Sequence, residues 1–99
     1  MIIVRFAFRC HPGRADDAVA ALIPVVAASR ALRGVISIYF ARDITDSDAF
    51  VATEIYEDRA ALDRQMALPE TVAGLAALRN GIRAESDARI HHVSRSEGF

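Results

Sequence analysis

Large apolar side chains fill the even positions at the start of the chain, Ile2, Val4, Phe6 and Phe8, while Ile3, Arg5, Ala7 and Arg9 fill the odd ones. A period of two predicts a β-strand with one apolar and one mixed face. The segment reads as a strand and not as a signal peptide, because Arg5 interrupts its apolar run. His11-Pro12-Gly13 closes it with turn residues. From Arg14 to Arg33 the spacing changes to threes and fours, with Val19, Leu22, Ile23, Val26 and Ala27 predicting the inward face of a helix. Asp16 and Asp17 begin this helix and Arg30 and Arg33 end it, as the helix dipole favours. Gly34 is its expected stop, and Pro24 is expected to bend it.

Val35–Ala41 is β-branched and aromatic and predicts a second strand, followed by a polar loop over residues 42–48. Phe50–Glu57 predicts a third strand with Phe50, Ala52, Glu54 and Tyr56 on one face, forming an antiparallel hairpin with the second. Asp58 can cap a short helix through Met66. Pro69 suits the first turn of another helix, expected to carry Val72, Leu75 and Leu78 inward until Asn80-Gly81. Residues 82–94 alternate again as a last strand. The order β-α-β-β-α-β, its second helix broken in two, is the ferredoxin-like arrangement of an α+β domain with a four-stranded antiparallel sheet. Helices can cover only one sheet face. The other, with Arg5, Arg9, Tyr39 and Val51, is too apolar for open water yet carries charge, so a second copy's sheet is expected to pack against it.

Composition sharpens this expectation. The chain is 53% hydrophobic over 99 residues, with a mean hydropathy of +0.19. Residues 1–99 are expected to form a single domain, a size at which association often adds stability. A net charge of −1 provides no footprint for nucleic acid. No apolar run approaches the length of a membrane span. The single cysteine, Cys10, excludes an internal disulfide and fits the reducing cytoplasm. His91 and His92 are adjacent on a strand and point to opposite faces, so they do not make a shared metal site.

Several local segments, taken in order, resemble the antibiotic biosynthesis monooxygenase (ABM) domain family. They are His11–Arg14, Ala28–Val35, Phe50–Asp58 and the stretch from Ala61-Leu62 to Ala67-Leu68-Pro69-Glu70. The resemblance covers nearly the whole chain. It implies a dimeric α+β barrel and a cofactor-independent oxygenase acting on a small aromatic, quinol or polyketide-like substrate, in a pocket between each sheet and its own helices. This chain has Tyr56 where many members have tryptophan, Gln65 where they have histidine, and Ala52 where some have asparagine. Haem degradation, found in a separate branch, would require an iron-ligating histidine near position 65. The resemblance therefore implies no cofactor and no metal.

Such chemistry needs an electron-rich substrate, an apolar pocket and groups that manage a proton and a developing negative charge. The candidate catalytic residues are Glu54, Tyr56 and Gln65. Phe6, Phe8, Leu22, Leu62 and Met66 are the candidate substrate-binding walls. Each has a plainer reading, as a paired buried acid, a core tyrosine or a polar helix residue. Two other functions remain open: a non-catalytic dimeric module binding a small apolar molecule, and a non-oxidative isomerase in which Glu54 moves a proton.

Overall fold

The computed structural model describes residues 1–99. The elements are β1 (Ile2–Cys10), α1 (Ala15–Arg30), β2 (Val35–Asp43), β3 (Asp46–Tyr56), α2 (Arg59–Ala67), α3 (Pro69–Arg79) and β4 (Arg83–His92). The four strands form one antiparallel sheet in the order β2-β3-β1-β4. This is the predicted ferredoxin-like arrangement, its second helix split at Leu68-Pro69. No helix is long and apolar enough to cross a membrane.

The even positions of β1 face the helices as their period requires. Val4 lies between Glu54 and Ile90, Phe6 between Ala52 and Ala88, and Phe8 between Phe50 and Ser86. Phe8 stacks on Phe50 with ring centroids 5.1 Å apart. These rings, with Leu22, Val25 and Leu78 from the helices, make the main core. A smaller cluster of Ile2, Tyr56, Ala61 and Leu62 closes the other end.

The buried face of α1 differs from expectation. Ala15, Ala18, Leu22, Val25 and Ser29 are buried, whereas Val19 is 38% and Ile23 62% exposed. Small residues face inward because α1 packs closely on α3, where Gly74 has no room for a side chain beside Val25. The helix runs unbroken through Pro24 and ends at Arg30, three residues earlier than predicted. On α3, Val72 is exposed while Leu78 is buried.

The polar stretch after β2 is mostly strand. Asp43 Oδ1 accepts from both the backbone N–H and the hydroxyl of Thr45, each at 2.7 Å. This side-chain turn closes the β2–β3 hairpin at Ile44–Thr45, so the ladder continues to Asp43 and resumes at Asp46. The helices pack chiefly on β2 and β3. The helix-side residues of β4 from Ala84 to Ile90 consequently remain exposed, and a gap opens above β1 and β4.

Candidate functional site

That gap is a cavity of about 370 Å³. Val4 and Phe6 of β1 and Ala88 and Ile90 of β4 floor it, while Leu62 and Met66 of α2 and Leu75 of α3 roof it. Asp58 positions α2 over it by accepting the Ala61 N–H at 2.9 Å, a helix cap in the predicted place. Glu54, Gln65 and Thr71 are among its polar lining groups.

Glu54 is the chemical anomaly of this cavity. It is 6% exposed, with no arginine paired to it. Its position follows from strand parity, since residues 50, 52, 54 and 56 of β3 all face the helices. The Tyr56 hydroxyl donates to Glu54 Oε1 at 2.5 Å. Oε2 has no hydrogen bond within the protein. Burial pushes the Glu54 carboxyl above its ordinary range, and the Tyr56 hydrogen bond offsets part of that rise. Burial, with the neighbouring Glu54 charge and hydrogen bond, also holds the Tyr56 phenol well above its ordinary value. Tyr56 therefore keeps its proton and serves as a donor to Glu54.

Gln65 is 2% exposed. Its Nε2 donates to Ser29 Oγ at 3.0 Å and to Thr71 Oγ1 at 3.2 Å, so one amide joins α1, α2 and α3. Its Oε1 is buried without a partner. A half-turn of the amide would let both hydroxyls donate to Oε1 and leave the NH2 as the free group.

The structure thus brings Glu54, Gln65, Phe6, Leu62 and Met66 to one cavity. Tyr56 reaches it through Glu54 and belongs to the smaller core cluster. Phe8 and Leu22 sit in the main core instead. Their sequence pattern marked the correct sheet and helix faces but not their distance from the gap over β4. Sequence reasoning missed Thr71, Leu75, Arg79 and Arg83 as lining residues. The two arginines flank the α3–β4 turn, where a sequence gives no sign that both line the cavity. No group of three His, Cys, Asp or Glu side chains that could hold a metal ion comes together anywhere in the fold. Cys10 is buried in the core, where burial pushes its thiol up and makes it a poor nucleophile.

A four-stranded antiparallel sheet, helices on one face and an apolar cavity holding a buried carboxyl define a ferredoxin-like α+β domain with a hollow between sheet and helices. The antibiotic biosynthesis monooxygenase family model matches residues 1–77, and the chain belongs to that family. Among solved structures it is similar to a Deinococcus radiodurans protein named for the same family, with 17% identity and a TM-score of 0.90, covering 100% of this chain and 98% of that one. Rv0793 from Mycobacterium tuberculosis has 18% identity and a TM-score of 0.87, with 98% of each chain covered. SnoaB, a cofactor-independent oxygenase from Streptomyces nogalater, has 17% identity and a TM-score of 0.80, covering 96% of this chain and 94% of that one. At these identities the likeness establishes the fold. No curated protein sequence is recognisably similar to the chain.

Proposed function

We propose that the protein is a cofactor-independent monooxygenase acting on a small aromatic, quinol-like substrate in the cavity beneath α2 and α3. The observation carrying this reading is Glu54, a buried carboxyl whose Oε1 is held by Tyr56 and whose Oε2 has no protein partner beside an apolar hollow. Family membership supports the reaction class.

The chemistry follows from that arrangement. Apolar walls hold a flat ring and exclude water. A carboxylate whose pKa is raised by burial is a stronger base than an exposed one, closer to matching a phenol. Glu54 Oε2 takes the phenolic proton, and the resulting anion passes an electron to O2. Recombination of the two radicals joins oxygen to the ring carbon. One oxygen atom stays in the product and the other leaves as water, the substrate itself supplying the electrons. Tyr56 keeps Glu54 in place and tempers its basicity. Gln65 holds the three helices together over the cavity.

Oxygen uptake with a panel of hydroquinones tests this reading. The wild type should consume O2, and Glu54→Gln should lose about 10²–10⁴-fold in kcat. Tyr56→Phe should retain activity with the acidic limb of its pH profile moved to higher pH, because its hydroxyl lowers the Glu54 pKa. A panel on which the wild type and both variants are equally inert would remove the oxygenase reading. The same carboxyl could shuttle a proton without oxidation, as in an isomerase. A product of unchanged mass would identify that alternative.

The proposed working form is a homodimer. Ile3, Ala7, Val51 and Ile55 on the sheet face away from the helices are only half-buried, and Tyr39 beside them is 61% exposed. A second copy laid sheet to sheet would cover this face and complete a barrel.

A further inference from the structure

The sheet has two open edges, β2 and β4, and they are finished differently. On β2, Arg30 of α1 donates from Nε and Nη2 to the Ile38 carbonyl at 3.2 and 2.9 Å, and its guanidinium lies over the Tyr39 ring. The ladder is also irregular there, its register shifting between Val35 and Ser37. A covered carbonyl and a bulge keep an edge from pairing with another strand. β4 has no such protection along its length. It runs ten residues from Arg83 to His92 without proline or lysine, and every side chain from Ala84 to His92 is exposed. Its only irregularity lies at its start, opposite Arg9 and Cys10.

Strand parity determines which groups this edge presents. The Val93 N–H donates to the Met1 carbonyl at 2.9 Å, one step beyond the Ile2–His92 pair. Bonded and non-bonded pairs alternate in an antiparallel ladder. The odd residues of β4 therefore bond to β1, and the N–H and C=O groups of Ala84, Ser86, Ala88, Ile90 and His92 point away from it. No other element reaches them.

A second β4 can bond to this edge only with even residues opposite even residues, so an antiparallel twofold must fall on a residue and not between two. The charges on the odd residues then select the register. Centred on Ser86, Glu85 meets Asp87 and Arg83 meets Arg89. Centred on Asp87, two aspartates meet, and centred on Arg89, two arginines. Centred on Ile90, half the strand is unpaired. Centred on Ala88, Asp87 of each copy faces Arg89 of the other and Glu85 faces His91, with no like charges opposed. Arg89 already holds Asp87 within each chain at 3.3 Å, so this register gathers two ion pairs into one alternating cluster.

We propose that β4 is a self-association edge: two copies pair antiparallel about Ala88, and one sheet continues into the next. This contact is separate from the sheet-face homodimer and rests neither on it nor on the oxygenase reading. It covers mostly backbone, which makes it weak, formed at high protein concentration and not in dilute solution. Ser86, Ala88 and Ile90 also line the cavity, so the pairing sets two cavities side by side across the axis.

Disulfide trapping tests the register. Residues of a bonded pair have Cα atoms about 5.5 Å apart, within reach of a disulfide. Concentrated Ala88→Cys should therefore oxidise to a covalent dimer. Ser86→Cys, roughly 13 Å along the strand from its counterpart, should give at least tenfold less. Cys10 is buried and does not interfere. A dimer through the outer sheet face keeps both thiols apart, since both lie on the helix side. Adding Asp87→Arg to Ala88→Cys should cut the yield at least tenfold by setting like charges opposite Arg89. Adding Arg89→Asp as well should restore it, which shows the loss to be one of pairing and not of folding. Equal yields from Ala88→Cys and Ser86→Cys, no dimer from either, or a yield indifferent to the two charges would overturn the proposal.

Discussion

Burying Glu54 works against the stability of the fold. The fold binds its proton more tightly than the unfolded chain does, because burial disfavours the charge. Below the ordinary carboxyl value of 4.5 the side chain is neutral in both states and burial carries no ionisation cost. As pH rises from there to the elevated folded value, the unfolded chain releases its proton first and stability falls. Above the folded value the cost is complete. Glu54→Gln retains an acceptor for Tyr56 and removes the charge. Its melting temperature should therefore exceed that of the wild type at pH 8, and the gap should narrow towards pH 4. Calorimetry across that range checks it, and a gap independent of pH would contradict the assignment. The sequence located this residue by parity alone, as an acid among Phe50, Ala52 and Tyr56. It could not show the 2.5 Å contact with Tyr56. That Gln65 joins three helices depends on Ser29 and Thr71, which are distant in sequence.

At the level of elements, the strands were more legible than the helices. A strand has two faces, so alternation from Ile2 to Phe8 leaves one choice, and a single buried phenylalanine settles it. A helix offers a continuous range of faces. On α1 the largest apolar residues misled, because contact with α3 selects small side chains. Glycine placement marks where such close approaches occur. A Cβ on Gly34, at φ +89°, would lie 2.6 Å from the Ala61 Cβ of α2. Gly13 also has positive φ, at +80°, yet nothing lies within 4 Å of its virtual Cβ. Gly13→Ala should thus cost only the backbone strain, about 1–2 kcal/mol. Gly34→Ala adds overpacking, for a total of about 2–5 kcal/mol. Denaturant titration of both variants isolates the packing contribution. Equal losses would mean that α2 is free to move away from β2, and the roof of the cavity with it.

At the level of the whole molecule, the sheet divides two tasks between its faces. The even residues of β1 face the helices and the cavity. The odd ones lie on a face that no helix covers, where the row of Arg5 and Thr53 separates Ile3 and Ile55 from Ala7 and Val51, and Arg9, Asp46 and Glu85 gather at one end. A twofold axis parallel to this face would lay one sheet's apolar residues on those of its copy. Val51 lies near the middle of this face, away from the cavity. Val51→Arg should therefore convert the proposed dimer to monomer by placing an unpaired cation on each of the two facing sheets. Sedimentation should give a wild-type mass of twice 10.8 kDa, and about half of that for the variant. If oxygen uptake falls with the mass, the half-covered sheet under the cavity requires its partner to hold shape. If uptake persists in the monomer, each domain carries a complete site, as expected from a cavity lined by residues of one chain. A monomeric wild type would leave the apolar face without the occupant proposed for it.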